Sequence, residues 1–69
     1  MVWHVRGLTG PPATVQDATG AKATALPAST DAADAAAKLA ACTGACWTAG
    51  AAGELYLRTD AVGTWTLGF

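Results

Sequence analysis

Alanine makes up half of the apolar content of this 69-residue chain, and this limits what the chain can fold into more than any other feature. Hydrophobic residues are 52% of the sequence, and 18 of them are alanine, which has little surface to bury. The larger apolar side chains are three Trp, one Tyr, one Phe, six Leu, four Val and one Met, with no Ile. One small core rarely supplies more than about 3–5 kcal/mol. We therefore expect a single domain over residues 1–69 that gains stability from a disulfide, a metal or self-association.

The charged residues are few and dispersed. Four basic and five acidic side chains give a net charge of −1 without a run of either sign. Nucleic-acid binding needs a basic face that exchanges counterions with phosphates, and four scattered basic residues do not predict one. No apolar run reaches the length of a membrane span, and the start MVWHVRG does not have the pattern of a signal peptide. The sequence predicts a soluble protein, cytoplasmic or in a virion, with neither a membrane nor a nucleic-acid partner.

The N-terminal segment has the alternation of a β-strand. In MVWHVR the odd-numbered residues from 1 to 5 lie on one face, and Val2, His4 and Arg6 lie on the other. Pro11 and Pro12 end this strand, because proline lacks the N–H that a sheet requires. The sequence predicts a first strand before the prolines.

The motif Asp-Ala-x-Gly occurs twice, and we interpret both copies as turns. Aspartate favours the first position of a type I turn, where its carboxylate accepts backbone bonds, and glycine favours the last, where φ becomes positive. Because both copies lie between short alternating runs, they predict two hairpins. The turns are Asp17 to Gly20, between residues 14–17 and 21–26, and Asp60 to Gly63, between ELYLRT and TWTLGF.

The middle of the chain predicts one helix near residues 30–43. Pro27 prevents the preceding strand from continuing, residues 29–31 offer N-cap oxygens, and Gly44 supplies a stop. One face of this helix is small and smooth, which favours close packing on a sheet. That face carries Ala33, Ala36, Leu39, Ala40 and Thr43.

The order of these elements predicts the fold class. We interpret Thr48–Gly53 as a flexible linker of small residues that leads into the second hairpin. The order along the chain is then β-β-β-α-β-β. Strands that come in runs, with one helix, indicate an α+β fold: a small antiparallel sheet of about five strands with the Ala-rich helix packed on one face.

The residues that could carry chemistry do not form a catalytic or metal-binding pattern. We interpret Cys42 and Cys46 as two small buried hydrophobes, with a disulfide as the alternative if the helix unwinds at Gly44. His4 is the only histidine, and a zinc site would need it to meet both cysteines and an aspartate without any supporting spacing. No nucleophile motif or paired carboxylates accompany it. We expect no enzymatic activity, no metal and no cofactor.

The aromatic residues are candidates for core anchors and for contacts with another chain. If Trp65 and Leu67 cover the helix, the far face of the sheet keeps apolar, aromatic and basic side chains, a mixture typical of interfaces. Trp3 and Phe69 would hold the first and last strands in place, within the monomer or against a neighbour. The interface candidates are Val2, His4, Arg6, Tyr56 and Arg58 on the far face, together with Trp3, Trp65 and Phe69.

These features predict a non-enzymatic structural or interaction protein that self-associates or docks on a larger assembly. The expected partner is protein, either further copies of the chain or another component. The Ala-, Gly- and Thr-rich composition hints at a GC-rich genome, and a virion accessory protein of an actinobacterial phage fits. The alternative is a small cytosolic binder that inhibits or neutralises a cellular protein, although no charged patch marks such a surface. A metal- or nucleic-acid-binding module is third.

Overall fold

The computed structural model describes residues 1–69 and has the α+β fold that the sequence predicts. It contains one helix and six short strands. The predicted order β-β-β-α-β-β is present, and one further strand lies after the helix, where we predicted the helix end and a linker. In chain order the elements are β1 (Val2–Val5), β2 (Thr14–Asp17), β3 (Thr24–Ala25), α1 (Ala32–Ala41), β4 (Cys46–Ala49), β5 (Leu55–Arg58) and β6 (Trp65–Gly68).

The strands form two sheets rather than the single antiparallel sheet that we predicted. The larger sheet has the order β1-β5-β4-β3, and β2 pairs with β6 in a separate two-stranded sheet. β3 and β4 are parallel, because α1 connects them and returns the chain to the same end of the sheet. The other pairs are antiparallel. β1 and β3 are therefore the two edges of the larger sheet.

The first Asp-Ala-x-Gly motif forms the predicted turn. Oδ1 of Asp17 accepts hydrogen bonds from the backbone N–H of Thr19 at 2.9 Å and of Ala21 at 3.0 Å. Gly20 has a φ of 88°, which a residue with a side chain rarely adopts. The segment after this turn returns briefly along β2. A bridge joins Gln16 to Lys22, and the backbone N–H of Ala23 donates to the carbonyl of Val15 at 2.8 Å.

The second motif does not form a hairpin. β5 and β6, on either side of Asp60 and Gly63, belong to different sheets, which corrects our prediction that they pair. The hairpin in this part of the chain joins β4 to β5. Its loop contains residues 50–53 of the segment that we interpreted as a flexible linker, whereas Thr48 and Ala49 of that segment belong to β4. Gly53 in this loop has a φ of 75° and lies so close to the carbonyl of Leu8 that a Cβ atom would clash with it.

One large side chain holds α1 on the sheet. The helix begins after its N-cap Asp31, whose Oδ1 accepts a hydrogen bond from the backbone N–H of Asp34 at 2.8 Å. Asp34 also pairs with Lys38, one turn later, at 2.6 Å. Ala35 and Leu39 are the buried residues of the helix. Because alanine contributes little on burial, Leu39 carries most of the apolar contact.

The two cysteines form a disulfide, which corrects our interpretation of them as free residues. α1 ends at Ala41, and Cys42 has an extended backbone that turns the chain back toward the sheet. Cys46 is the first residue of β4 and is buried. The Cα atoms lie 6.6 Å apart, within the range that a disulfide spans. The bridge therefore ties the end of the helix to the start of β4.

The larger sheet carries a different layer on each of its faces. Leu39 of α1 packs against Cys46 and Tyr56 on one face. The β2–β6 sheet covers the other face, where Trp65 and Leu67 pack against the main core. We assigned the far face of the sheet on the condition that Trp65 and Leu67 cover the helix, and the structure places them on the face opposite the helix. The main core consists of Val15, Ala23, Trp47, Leu55 and Leu57.

Candidate interaction surface

The outer edge of β1 has unpaired backbone groups. The backbone N–H of Thr59 donates to the carbonyl of Met1 at 3.1 Å. Together with the register of the β1–β5 pair, this bond shows which residues of β1 bond to β5. Bonded residues alternate along antiparallel strands, so Trp3 bonds to β5. Val2 and His4 direct their N–H and C=O groups away from it. A further strand could bond to these groups.

The layers that cover the larger sheet leave part of β1 exposed. Val5 packs against the main core, and the residues before it are open. Two apolar side chains of β1 are consequently open to water: Val2 is 60% exposed and Trp3 is 39% exposed. Each face of the sheet has a groove beside β1 where its covering layer stops.

The helix-side groove lies between α1 and β1 and has a volume of about 410 Å³. The alanine side chains of α1 keep it open, because larger residues at those positions would fill it. Four of the five candidates that we placed on the far face line this groove, on the same face as the helix, and Arg6 does not. The lining residues are Val2, His4, Ala32, Ala36, Leu39, Ala40, Tyr56 and Arg58.

A hydrogen-bonded cluster of His4, Glu54 and Tyr56 lies at this groove. The imidazole of His4 stacks on the Tyr56 ring, with ring centroids 4.4 Å apart and planes 13° from parallel. Nε2 of His4 lies 2.7 Å from Oε2 of Glu54, and the Tyr56 hydroxyl donates to the same oxygen at 3.1 Å. An ionised carboxylate only accepts hydrogen bonds, so Nε2 of His4 carries the proton in this contact.

The cluster shifts the pKa of both of its acidic members away from neutrality. The hydrogen bond from His4, followed by the one from Tyr56, lowers the pKa of Glu54 below the usual carboxyl value. Burial, followed by the hydrogen bond to Glu54, raises the pKa of Tyr56 above that of a free phenol. Both shifts have their cause in the hydrogen bonds within the cluster and, for Tyr56, in its burial.

Arg58 lies at the end of the groove near the disulfide. Its Nη1 donates to the carbonyl oxygen of Cys42 at 2.8 Å, and its Nη2 lies 4.0 Å from Oδ1 of Asp60. A cation is favourable here, because the carbonyl groups at a helix C-terminus carry partial negative charge. Arg58 is therefore tied to the backbone, and the remaining lining of the groove is mostly apolar.

The second groove lies on the opposite face of β1 and has a volume of about 400 Å³. Trp3 and Trp65, two of the predicted aromatic anchors, line it. Phe69 is 72% exposed and lines neither groove. The lining residues are Trp3, Val5, Leu55, Leu57, Gly63, Thr64, Trp65 and Leu67.

Sequence reasoning missed Glu54 and the alanines of α1 as parts of this surface. The sequence does carry a signal for Glu54, since residues two apart on a strand share a face and Glu54 precedes Tyr56 by two. The sequence carries no signal that His4 lies close to Glu54, because that contact depends on the pairing of β1 with β5.

Comparisons with family models, with curated proteins and with solved structures give no match. The chain also has no group of three or more His, Cys, Asp or Glu side chains placed to hold a metal ion. No helix combines the length and the apolar character that crossing a membrane requires. A functional proposal therefore depends on the geometry of β1 and its two grooves.

Proposed function

We propose that this chain is a non-enzymatic interaction protein that self-associates or docks on a larger assembly through β1 and the grooves beside it. The observation that carries the proposal is the open edge of β1. Its outer backbone edge has no partner strand, and Val2 and Trp3, on its two faces, are exposed.

An added strand matches the geometry of this surface. Backbone hydrogen bonds at a sheet edge supply affinity, and pockets for alternate side chains supply specificity. Successive side chains of a strand point to opposite faces of a sheet. An extended segment bonded to Val2 and His4 would thus place its side chains alternately into the helix-side groove and the second groove.

The polar groups of the surface support binding rather than catalysis. The imidazole, carboxylate and phenol of the His4 cluster are bonded to one another, and Arg58 is bonded to a carbonyl. A general acid or base must be within hydrogen-bond reach of a substrate proton, and these groups are engaged with one another or with the backbone. Groups held in this way instead give the edge a defined shape.

The disulfide favours a setting outside a reducing cytosol. Disulfides persist in secreted proteins, in the periplasm and on virion surfaces, and they are rare in cytosolic proteins. The Cys42–Cys46 bridge therefore supports an accessory role on a virion, such as that of an actinobacterial phage, over a cytosolic inhibitor.

Analytical ultracentrifugation from micromolar to millimolar concentration tests the proposal, together with titration of a synthetic extended peptide that alternates valine and threonine and is unrelated to the sequence of β1. Val2→Lys adds a charge to the edge, and Val62→Lys is the matched control at an exposed valine outside both grooves. We expect the wild type and Val62→Lys to associate or to bind the peptide, and Val2→Lys to do neither. A wild-type chain that stays monomeric at millimolar concentration and leaves the peptide unbound would contradict the proposal.

A further inference from the structure

We infer that the strand that completes the edge of β1 is β1 of a second copy, paired antiparallel so that the two larger sheets become one continuous sheet. This inference rests on the proposed function and names its partner. It follows from the sequence of β1, from the protection of β3 at the other edge of the same sheet, and from the free backbone groups.

β1 has no proline, bulge or Lys, Arg, Asp or Glu side chain that would prevent its edge from pairing. Natural edge strands are protected by charged residues, by proline, by bulges or by being short. The other edge of the sheet, β3, has two residues and is followed closely by Pro27. β1 is longer, and its sequence Val-Trp-His-Val contains neither proline nor a Lys, Arg, Asp or Glu side chain. The chain has few apolar residues, and it still places two of them on an edge without such protection. This is consistent with an edge that pairs with another strand.

A second copy of β1 also has the side chains that the two grooves can accept. Paired antiparallel, the second copy directs its Val2 toward the helix-side groove and its Trp3 toward the second groove. Each copy contributes the same strand, β1, to the interface, as twofold symmetry requires. The net charge of −1 per chain adds little repulsion between copies.

Two symmetric registers of residues 1–6 give both Val2 and His4 a backbone partner in the second copy. In one, Val2 lies opposite His4 of the second copy, and the two Trp3 residues face each other at the twofold axis. In the other, the two His4 residues face each other, and Arg6 lies opposite Val2. The first register pairs aromatic with aromatic at a closely spaced, non-hydrogen-bonded position, which is favourable. It also leaves both Arg6 side chains beyond the paired segment, and we assign this register.

The dimer should be weak. Val2 and His4 of the two copies would exchange about four backbone hydrogen bonds in this register. A strand of four residues buries less surface than the standard stable interface of about 1,600 Å². We therefore expect a dissociation constant between micromolar and millimolar. We expect Val2→Lys to raise it by about tenfold or more, because the symmetry places two lysines at the interface.

Cross-linking of variants with one added cysteine tests the register, because both native cysteines are bridged to each other and the added thiol is the only free one. Trp3→Cys should form disulfide-linked dimers under mild oxidation much faster than His4→Cys, since only the Trp3 positions meet at the axis. Faster linking at His4→Cys would overturn the assigned register. Peptide binding at the edge with linking at neither position would overturn the second-copy assignment and leave the proposed function standing.

A mixed-labelled sample of the wild-type chain provides a test that does not depend on variants folding. Isotope-filtered NMR should show contacts between the Val2 methyl groups of one copy and the His4 ring of the other. Dimers that form without these contacts would contradict the inference. A sample without dimers or peptide binding would contradict the proposed function as well.

Discussion

Replacing Leu39 with alanine tests whether one side chain holds the helix on the sheet. Leu39 is 2% exposed and packs against Cys46 and Tyr56. Truncating a buried leucine to alanine costs about 2–5 kcal/mol, and the cost rises with the volume of the cavity that remains. Because Leu39 also lines the helix-side groove, water can enter the space that it leaves. We therefore expect a loss at the lower end, about 2–3 kcal/mol.

Urea unfolding monitored by two probes measures this loss. Far-UV circular dichroism reports on α1, and tryptophan fluorescence reports on the opposite face of the sheet, where all three tryptophans lie. Leu26→Ala is the matched control, because Leu26 packs against the same cluster but is only partly buried. Leu39→Ala should lower the urea midpoint reported by both probes to the same extent, and by more than Leu26→Ala does. A loss below about 1 kcal/mol, or one equal to that of Leu26→Ala, would refute this view of the helix.

Three further predictions concern the disulfide, the turns and the acid response. Replacing Cys42 and Cys46 together with alanine should lower the unfolding free energy by about 2 kcal/mol, the chain-entropy value for so short a loop, and an unchanged urea midpoint would argue against it. Asp17→Ala should lower the melting temperature more than Asp60→Ala, because only the first aspartate accepts backbone hydrogen bonds from its own turn. Equal effects would mean that the two motifs act alike. Because the folded protein lowers the pKa of Glu54, the carboxylate contributes stability above the usual carboxyl pKa and loses this contribution as pH falls through the lowered value. Urea unfolding at a series of acidic pH values should show a shallower loss for Glu54→Gln than for the wild type, and matching profiles would exclude this role.

Local structure was predictable where short-range chemistry determines it. The helix observed at Ala32–Ala41 lies inside the predicted range 30–43, because capping oxygens and a run of alanine act within a few residues. Asp17 forms the predicted turn because its carboxylate bonds to amides within four residues. The alternation of the first segment predicted β1 for the same reason.

Strand pairing was not predictable from the sequence. Asp60 and Gly63 have the same turn chemistry as the first motif, yet β5 takes β1 and β4 as partners and β6 takes β2. These partners are distant in sequence, and the pairing of such strands depends on packing across the whole core. The position of Trp65 was not predictable for a related reason. A period-2 pattern separates the two faces of a strand, but it does not show which layer covers each face.

Two features were missed because their signals were short. Strand β4 covers four residues that include the small Thr48 and Ala49, and its neighbours Gly50 to Gly53 suggested a linker. The disulfide depends on the backbone of Cys42 leaving the helix directly after Ala41, earlier than the stop that we predicted from Gly44. A helix that ends at Ala41 favours a Cys42–Cys46 disulfide over two free cysteines.

Amide hydrogen exchange along β1, measured by NMR in dilute and in concentrated wild-type protein, is the most direct test of the open edge. The amides of Trp3 and Val5 should be protected at both concentrations, because they bond to β5 within one chain. The amides of Val2 and His4 should exchange rapidly in dilute protein and become protected as the concentration rises. Protection of Val2 and His4 in dilute monomer, or rapid exchange that persists at millimolar concentration, would contradict an unpaired edge that a second strand completes.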